Sequence, residues 1–96
     1  MTALAGSQPI WVLTSTDGLT PANANAPPSL TVYEEGTDTY VATATMAQIG
    51  DVVGLYRQTQ VVSEANKYAK GKTYLVHISY AISSTTYVQT ATFTVV

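Results

Sequence analysis

Hydrophobic and polar positions alternate most regularly over Lys72–Ile82. Tyr74, Val76, Ile78, Tyr80 and Ile82 share one face of an extended chain; Leu75, His77, Ser79 and Ala81 share the other. Side chains of a strand point alternately to opposite sides of a sheet, so this period of two predicts a half-buried β-strand. Gly71 just before it and Ser83-Ser84-Thr85-Thr86 just after are turn signals. The closing stretch Thr85–Val96 alternates again, and Tyr87 and Phe93 belong to its more apolar face.

Weaker versions of the pattern recur upstream. Ile10-Trp11-Val12-Leu13 is a short apolar run of strand character. Leu30–Glu35 alternates, with Leu30 and Val32 predicted inward and Thr31 and Tyr33 outward. Tyr40–Met46 has a shallow apolar side of Ala and Thr. Leu55–Val62 places Leu55, Arg57, Thr59 and Val61 on one face and Tyr56, Gln58, Gln60 and Val62 on the other. Ser63–Gly71 is predicted as one helical turn, with Ser63 as N-cap and Gly71 at its end. About six or seven short strands at this spacing predict an antiparallel β-sandwich.

Two segments stand apart from the alternation. Residues 1–9 lack any period and end in Pro9, which predicts an extended N-terminal arm dispensable to the fold. Thr14–Ser29 carries Asp17-Gly18, Pro21, Asn23, Asn25 and Pro27-Pro28, the chemistry of a long loop. A loop of that length is a linker or a docked, functional segment. The chain therefore divides into residues 1–28, comprising arm, short strand and Pro/Asn-rich loop, and residues 29–96, the sandwich.

Composition narrows the function classes. The 96 residues make one domain. A chain of this size buries roughly 60–65% of its unfolded surface, a marginal core. It has no cysteine, so neither disulfides nor thiolate metal sites are available. A net charge of −2 offers no steering field for nucleic acid or anionic membrane. No apolar run approaches the ~18 residues of a membrane span. The N-terminus lacks the basic start of a secretory signal, so synthesis in a cytoplasm is expected. Charged residues make up only 10% of the chain, against about 25% ordinarily. A surface so poor in charge is weakly protected against association. It is either covered in an assembly or built of water-facing strand Thr.

Candidate chemistry is sparse. His77 is the single histidine and stands without the three or four ligands a zinc site needs. Ser79 lies two positions from it, but no Gly-x-Ser-x-Gly elbow exists. Glu34, Glu35 and Asp38 flank Gly36 and read as solvated turn charges. No catalytic, cofactor or metal residue is expected. Candidate partner contacts are Ile10 and Trp11, Pro27 and Pro28, and the basic group Lys67, Lys70 and Lys72. Trp11 is either core filler or an interface anchor, since Trp is enriched at hot spots. The lysines either meet an acidic partner or form a solvated turn.

Three landmarks carry a resemblance: Gly54-Leu55-Tyr56-Arg57 opening one strand, Gly71-Lys72-Thr73-Tyr74-Leu75-Val76 opening the next, and Phe93-Thr94-Val95 near the end. The Gly-x-x-Tyr spacing is similar to the tyrosine corner of immunoglobulin-like sandwiches. The stretch from Ser29 to Val96 resembles the small Ig-like domains of tailed-bacteriophage virion proteins. The disulfide and core Trp of antibody domains are missing. The resemblance implies an immunoglobulin-like antiparallel β-sandwich with a structural or adhesive role and no enzymatic one. The implied function is capsid decoration (cement) on a shell of major capsid protein. Tail, collar or baseplate attachment is the alternative, as is a carbohydrate-binding module. Implied partners are the major capsid protein or other virion subunits and further copies of the chain, with host-surface glycans for the last alternative. The implied location is the virion, assembled in the host cytoplasm.

Overall fold

The computed structural model describes residues 2–3, 6–18, 20–63 and 66–96. Its strands are β1 (Thr2–Ala3), β2 (Gly6–Leu13), β3 (Ser29–Glu34), β4 (Tyr40–Thr45), β5 (Ala47–Gln48), β6 (Leu55–Val62), β7 (Thr73–Ile82) and β8 (Thr85–Val95). They form a five-stranded sheet in the order β1-β8-β7-β3-β4 and a three-stranded sheet in the order β2-β6-β5. Every pairing is antiparallel except the parallel one between β1 and β8. The protein is an all-β sandwich, as the alternation predicts.

The core lies between the sheets, and β7 runs through its middle. Tyr74, Val76, Ile78 and Tyr80 are buried on the face that the period of two assigns inward. Leu30 and Val32 of β3 and Phe93 and Val95 of β8 join them from the same sheet. Ile10 and Val12 of β2 and Tyr56 and Val62 of β6 close the layer from the opposite sheet. Burying an aliphatic or aromatic side chain of this size is worth about 1.5–3 kcal/mol. Tyr68, Tyr74 and Phe93 form one aromatic cluster, with ring centroids 4.9–5.9 Å apart. The shallow strand β4 contributes only partly buried Val41, Ala42 and Ala44, while Met46 just after it is fully buried.

Sequence expectation and structure differ over the segments outside the alternation. Within the expected arm, Thr2–Ala3 pair with Thr94–Val95, and Gly6–Pro9 open β2 opposite Gln60–Val62 and Thr59. Met1, Leu4 and Ala5 lie outside the described residues. Residues 6–9 supply four of the eight residues of an edge strand, so this part of the expected arm is built into a sheet. The backbone pairing partner of such a segment is remote in sequence, and nothing in its own period announces it. Ile10 and Val12 share the core with residues beyond 29, so that position marks a change in chain character and not a second core.

The long loop is docked on its own domain. The Thr14 hydroxyl reaches the carbonyls of Ala22 and Gly54, and Asn23 Oδ1 accepts the Gly54 N–H at 2.8 Å. The buried Tyr56 hydroxyl accepts the Ala24 N–H at 3.2 Å. Asn25 N–H donates to Ala81 O at 2.8 Å, and its side chain bonds Ser83. Polar loop residues thus satisfy their backbone on β6 and on the β7–β8 hairpin.

The helical turn expected over Ser63–Gly71 includes Glu64 and Ala65, which lie outside the described residues. Around them the Asn66 and Tyr68 N–H groups both converge on Ser63 O at 3.1 Å. Lys67 then adopts a left-handed φ of 70°. A residue with positive φ cannot continue a right-handed helix, so none runs on through Lys67.

Candidate interaction surface

The outer face of the three-stranded sheet carries exposed apolar side chains; Tyr40, Val52, Val53, Val88 and Val96 are exposed elsewhere in the chain. Strand β2 turns Gln8, Ile10 and Val12 inward, which forces Pro9, Trp11 and Leu13 outward. On β6 the inward set is Tyr56, Gln60 and Val62, leaving Arg57, Thr59 and Val61 outside. Register sets Trp11 opposite Arg57, Leu13 opposite Leu55 and Pro9 opposite Thr59. Trp11 is 50% exposed, Leu13 49% and Val61 57%. Single exposed apolar residues are ordinary; here several share one face of two paired strands.

One cation serves this face. The Arg57 guanidinium carbon sits 5.3 Å from the centroid of the Trp11 ring. Such cation–π contact holds the indole in place and shields one of its faces, at about 0.5–1 kcal/mol where exposed. The ring is therefore preset on this face by its arginine neighbour.

The sequence-derived contact residues do not converge. Trp11 lies on the exposed face. Ile10, its neighbour, is 3% exposed and belongs to the core, because alternation sends it to the opposite side. Pro28 is also fully buried, where its carbonyl accepts the Met46 N–H at 2.9 Å. Pro27 is exposed. Ile10 and Pro28 are thus corrected from partner contacts to packing residues. Lys67, Lys70 and Lys72 are exposed on the β6–β7 crossover. Lys72 Nζ pairs with Glu34 Oε1 at 2.8 Å, and that carboxylate, as hydrogen-bond acceptor and as charge, holds the ammonium above its usual range.

Leu13, Val61 and Arg57 complete the surface without having been singled out by the sequence. Arg57 and Val61 do fall on one period-two face, but their apposition to Trp11 and Ser7 depends on a pairing across some fifty residues of sequence.

A polar cluster lies between the sheets beside this face. Tyr68 donates its hydroxyl proton to Gln60 Oε1 at 3.0 Å, and Gln60 Nε2 donates to Gln58 Oε1 at 2.6 Å. Burial, with the neighbouring Tyr74 phenol adding to it, pushes the Tyr68 pKa up to about 12. An open cleft of about 350 Å³ adjoins the cluster, lined by Val41, Ala42, Gln58–Val61, Asn66 and Lys67. Among the described residues its lining is amide, hydroxyl and aliphatic, with the Lys67 ammonium at one side.

Nothing among the described residues assembles reactive groups. His77 is half-buried on the outer face of β7, in register with Thr31 and Thr90. Glu35 and Asp38 are exposed around the Gly36 turn, and Glu34 is engaged by Lys72. Among the described residues no group of three His, Cys, Asp or Glu side chains comes together to hold a metal ion. Comparisons with protein-family models, curated proteins and solved structures return no match to this chain.

Proposed function

We propose that this chain is an assembly protein. In this reading it is an immunoglobulin-like module that holds to neighbouring protein subunits through the outer face of β2-β6-β5. The observation that carries the reading is the exposure of Trp11, Leu13 and Val61 on one charge-poor sheet face. An aromatic anchor beside an arginine and aliphatic neighbours is what protein contact surfaces supply.

Strand order supports the immunoglobulin-like part. The row β4-β3-β7-β8 has two hairpins, β3–β4 and β7–β8, joined through β3 and β7; the facing sheet is β2-β6-β5. Variable-type immunoglobulin sandwiches arrange strands C′, C, F and G against B, E and D in this way. Tyr74 near the start of β7 accepts the Ala69 N–H at 2.8 Å, closing the crossover from β6. Such a phenol-to-backbone bond is the tyrosine corner of that fold. Two residues on, the fully buried Val76 stands where antibody domains place a cysteine.

The proposed setting is the virion of a tailed bacteriophage, with the chain coating a shell of major capsid protein. Its support is the resemblance of Ser29–Val96 to virion Ig-like domains, together with a charged fraction of 10%. Immunogold labelling of particles from the producing cells tests it. Label over the capsid is the expected result. Label confined to tail or baseplate moves the protein to an adaptor role, and unlabelled particles remove it from the virion.

A further inference from the structure

Strand β8 is the longest in the protein, and most of its outer edge is bare. It spans Thr85–Val95, pairs with β7 from Thr85 to Thr94, and shows no register shift. On its other side β1 covers only Thr94 and Val95. Among the described residues no segment pairs with that side between Thr85 and Phe93. An open edge exposes a row of backbone N–H and C=O groups that template another strand.

Folded proteins usually blunt such edges with charge, Pro, a bulge or shortness. The other edges carry such devices: β2 contains Pro9, β5 has two residues, and the pairing of β4 is broken by a bulge at Val32/Tyr33. Thr85–Val95 contains no charged residue, no Pro and no Gly.

We infer that the bare edge of β8 is a self-association site, where a second copy of this chain adds its own β8 antiparallel. The position of β1 fixes the register. With Thr94 and Val95 occupied, the span left open among the described residues runs from Thr85 to Phe93, and a two-fold axis centred on it passes beside Gln89. Val88 then faces Thr90 of the second copy, Tyr87 faces Ala91 and Thr86 faces Thr92. Each rung is neutral, and most carry β-branched or aromatic partners, which favour cross-strand pairing. An isologous contact of this kind closes at two copies and leaves no further edge of β8 to grow from. The Gln89 side chain does not obstruct it, because its Nε2 is turned to Leu13 O and the Tyr80 hydroxyl, each at 3.1 Å. The dimer joins two five-stranded sheets into one of ten. It uses neither Trp11 nor the three-stranded sheet, so it stands or falls apart from the capsid reading.

Sedimentation velocity of the full chain over a dilution series tests the site. A monomer–dimer equilibrium is expected, visible at about micromolar concentration or above, as suits a narrow strip of contact. Val88 and Thr90 are both exposed, so charge is introduced there without touching the core. The pair Val88→Lys with Thr90→Lys should weaken the dimer by about tenfold or more, as should Val88→Glu with Thr90→Glu. An equimolar mixture of the two variants should dimerise again, because each lysine then faces a glutamate. A wild-type protein that stays monomeric throughout overturns the inference. So does a lysine variant that dimerises like wild type, or a mixture that fails to recover. Should the variants not fold, hydrogen exchange of the wild type decides. Protection gained over Thr85–Phe93 on concentration supports the site, and unchanged exchange there refutes it.

Discussion

Tyr74 Oη lies 2.8 Å from the Ala69 nitrogen, so one phenol ties the β6–β7 crossover to the first turn-in of the central strand. The ring itself is 1% exposed and packs against Phe93 and Tyr68. Tyr74→Phe keeps that packing and removes only the acceptor. The Ala69 N–H is then left partly buried without its partner, a loss of about 1–3 kcal/mol. Chemical denaturation should show the midpoint falling at unchanged m-value, since the surface exposed on unfolding barely changes. A variant as stable as the parent would mean the crossover is held by its other contacts.

Gly54 makes a sharper demand on the backbone. Its φ is +76°, and a Cβ there would meet Thr14 O at 2.9 Å and Ala22 N and O at 3.2 Å. All three atoms are backbone, so none can swing aside. Gly36 has a similar φ of +84° with nothing within 4 Å. Gly36→Ala should therefore cost only the conformational penalty, about 1 kcal/mol. Gly54→Ala should cost clearly more and loosen the Thr14–Ser29 loop as well. Thermal melts of the two variants side by side test the difference, and equal losses would contradict the close approach.

Gly71 and Gly54 show what the sequence discloses and what it withholds. Gly71-x-x-Tyr74 is a local spacing that marks the start of a strand, and the alternation after it gives the inward face. The period of two likewise assigned Leu30, Val32, Phe93 and the β7 set correctly to the core. Gly54 also sits at a readable strand start, yet its need for glycine arises from Thr14 and Ala22, remote in sequence. The same distinction explains Ile10 and Trp11. A run of four apolar residues has no polar partner to reveal its phase, so which of the two faces inward depends on where β6 pairs. β1 was unreadable for a related reason: a two-residue strand has no period at all.

Tyr68 predicts an alkaline weakness. Its pKa is pushed up to about 12 from an ordinary 10.0, chiefly by burial. Between those values the folded protein retains a proton that the unfolded chain has released. Stability is then unaffected below about pH 10 and falls as pH rises toward 12, by about 2–3 kcal/mol when the interval is crossed. Tyr68→Phe should lose about 1 kcal/mol at neutral pH, because Gln60 Oε1 forfeits its donor. In exchange, its decline above pH 10 should be less steep than the parent's. Denaturant midpoints for both proteins across that range provide the check. Parallel curves would show that Tyr68 does not ionise more readily on unfolding.

Ile10 and Trp11 are adjacent in sequence and opposite in consequence. Ile10 is 3% exposed between the sheets, and Ile10→Ala should cost about 2–5 kcal/mol through lost burial and a residual cavity. Trp11 is half exposed, with Arg57 as its ring partner. Trp11→Ala forfeits that contact and should shift stability by no more than about 1 kcal/mol. The effect on assembly should be reversed in rank. If the β2-β6-β5 face holds the subunit in place, the folded Trp11→Ala protein should fail to co-sediment with shells that retain the parent. Arg57→Ala should have an intermediate effect, because the indole keeps its area but loses its fixed orientation. Full retention of Trp11→Ala on shells would exclude this face as the attachment surface, even with the β-sandwich intact.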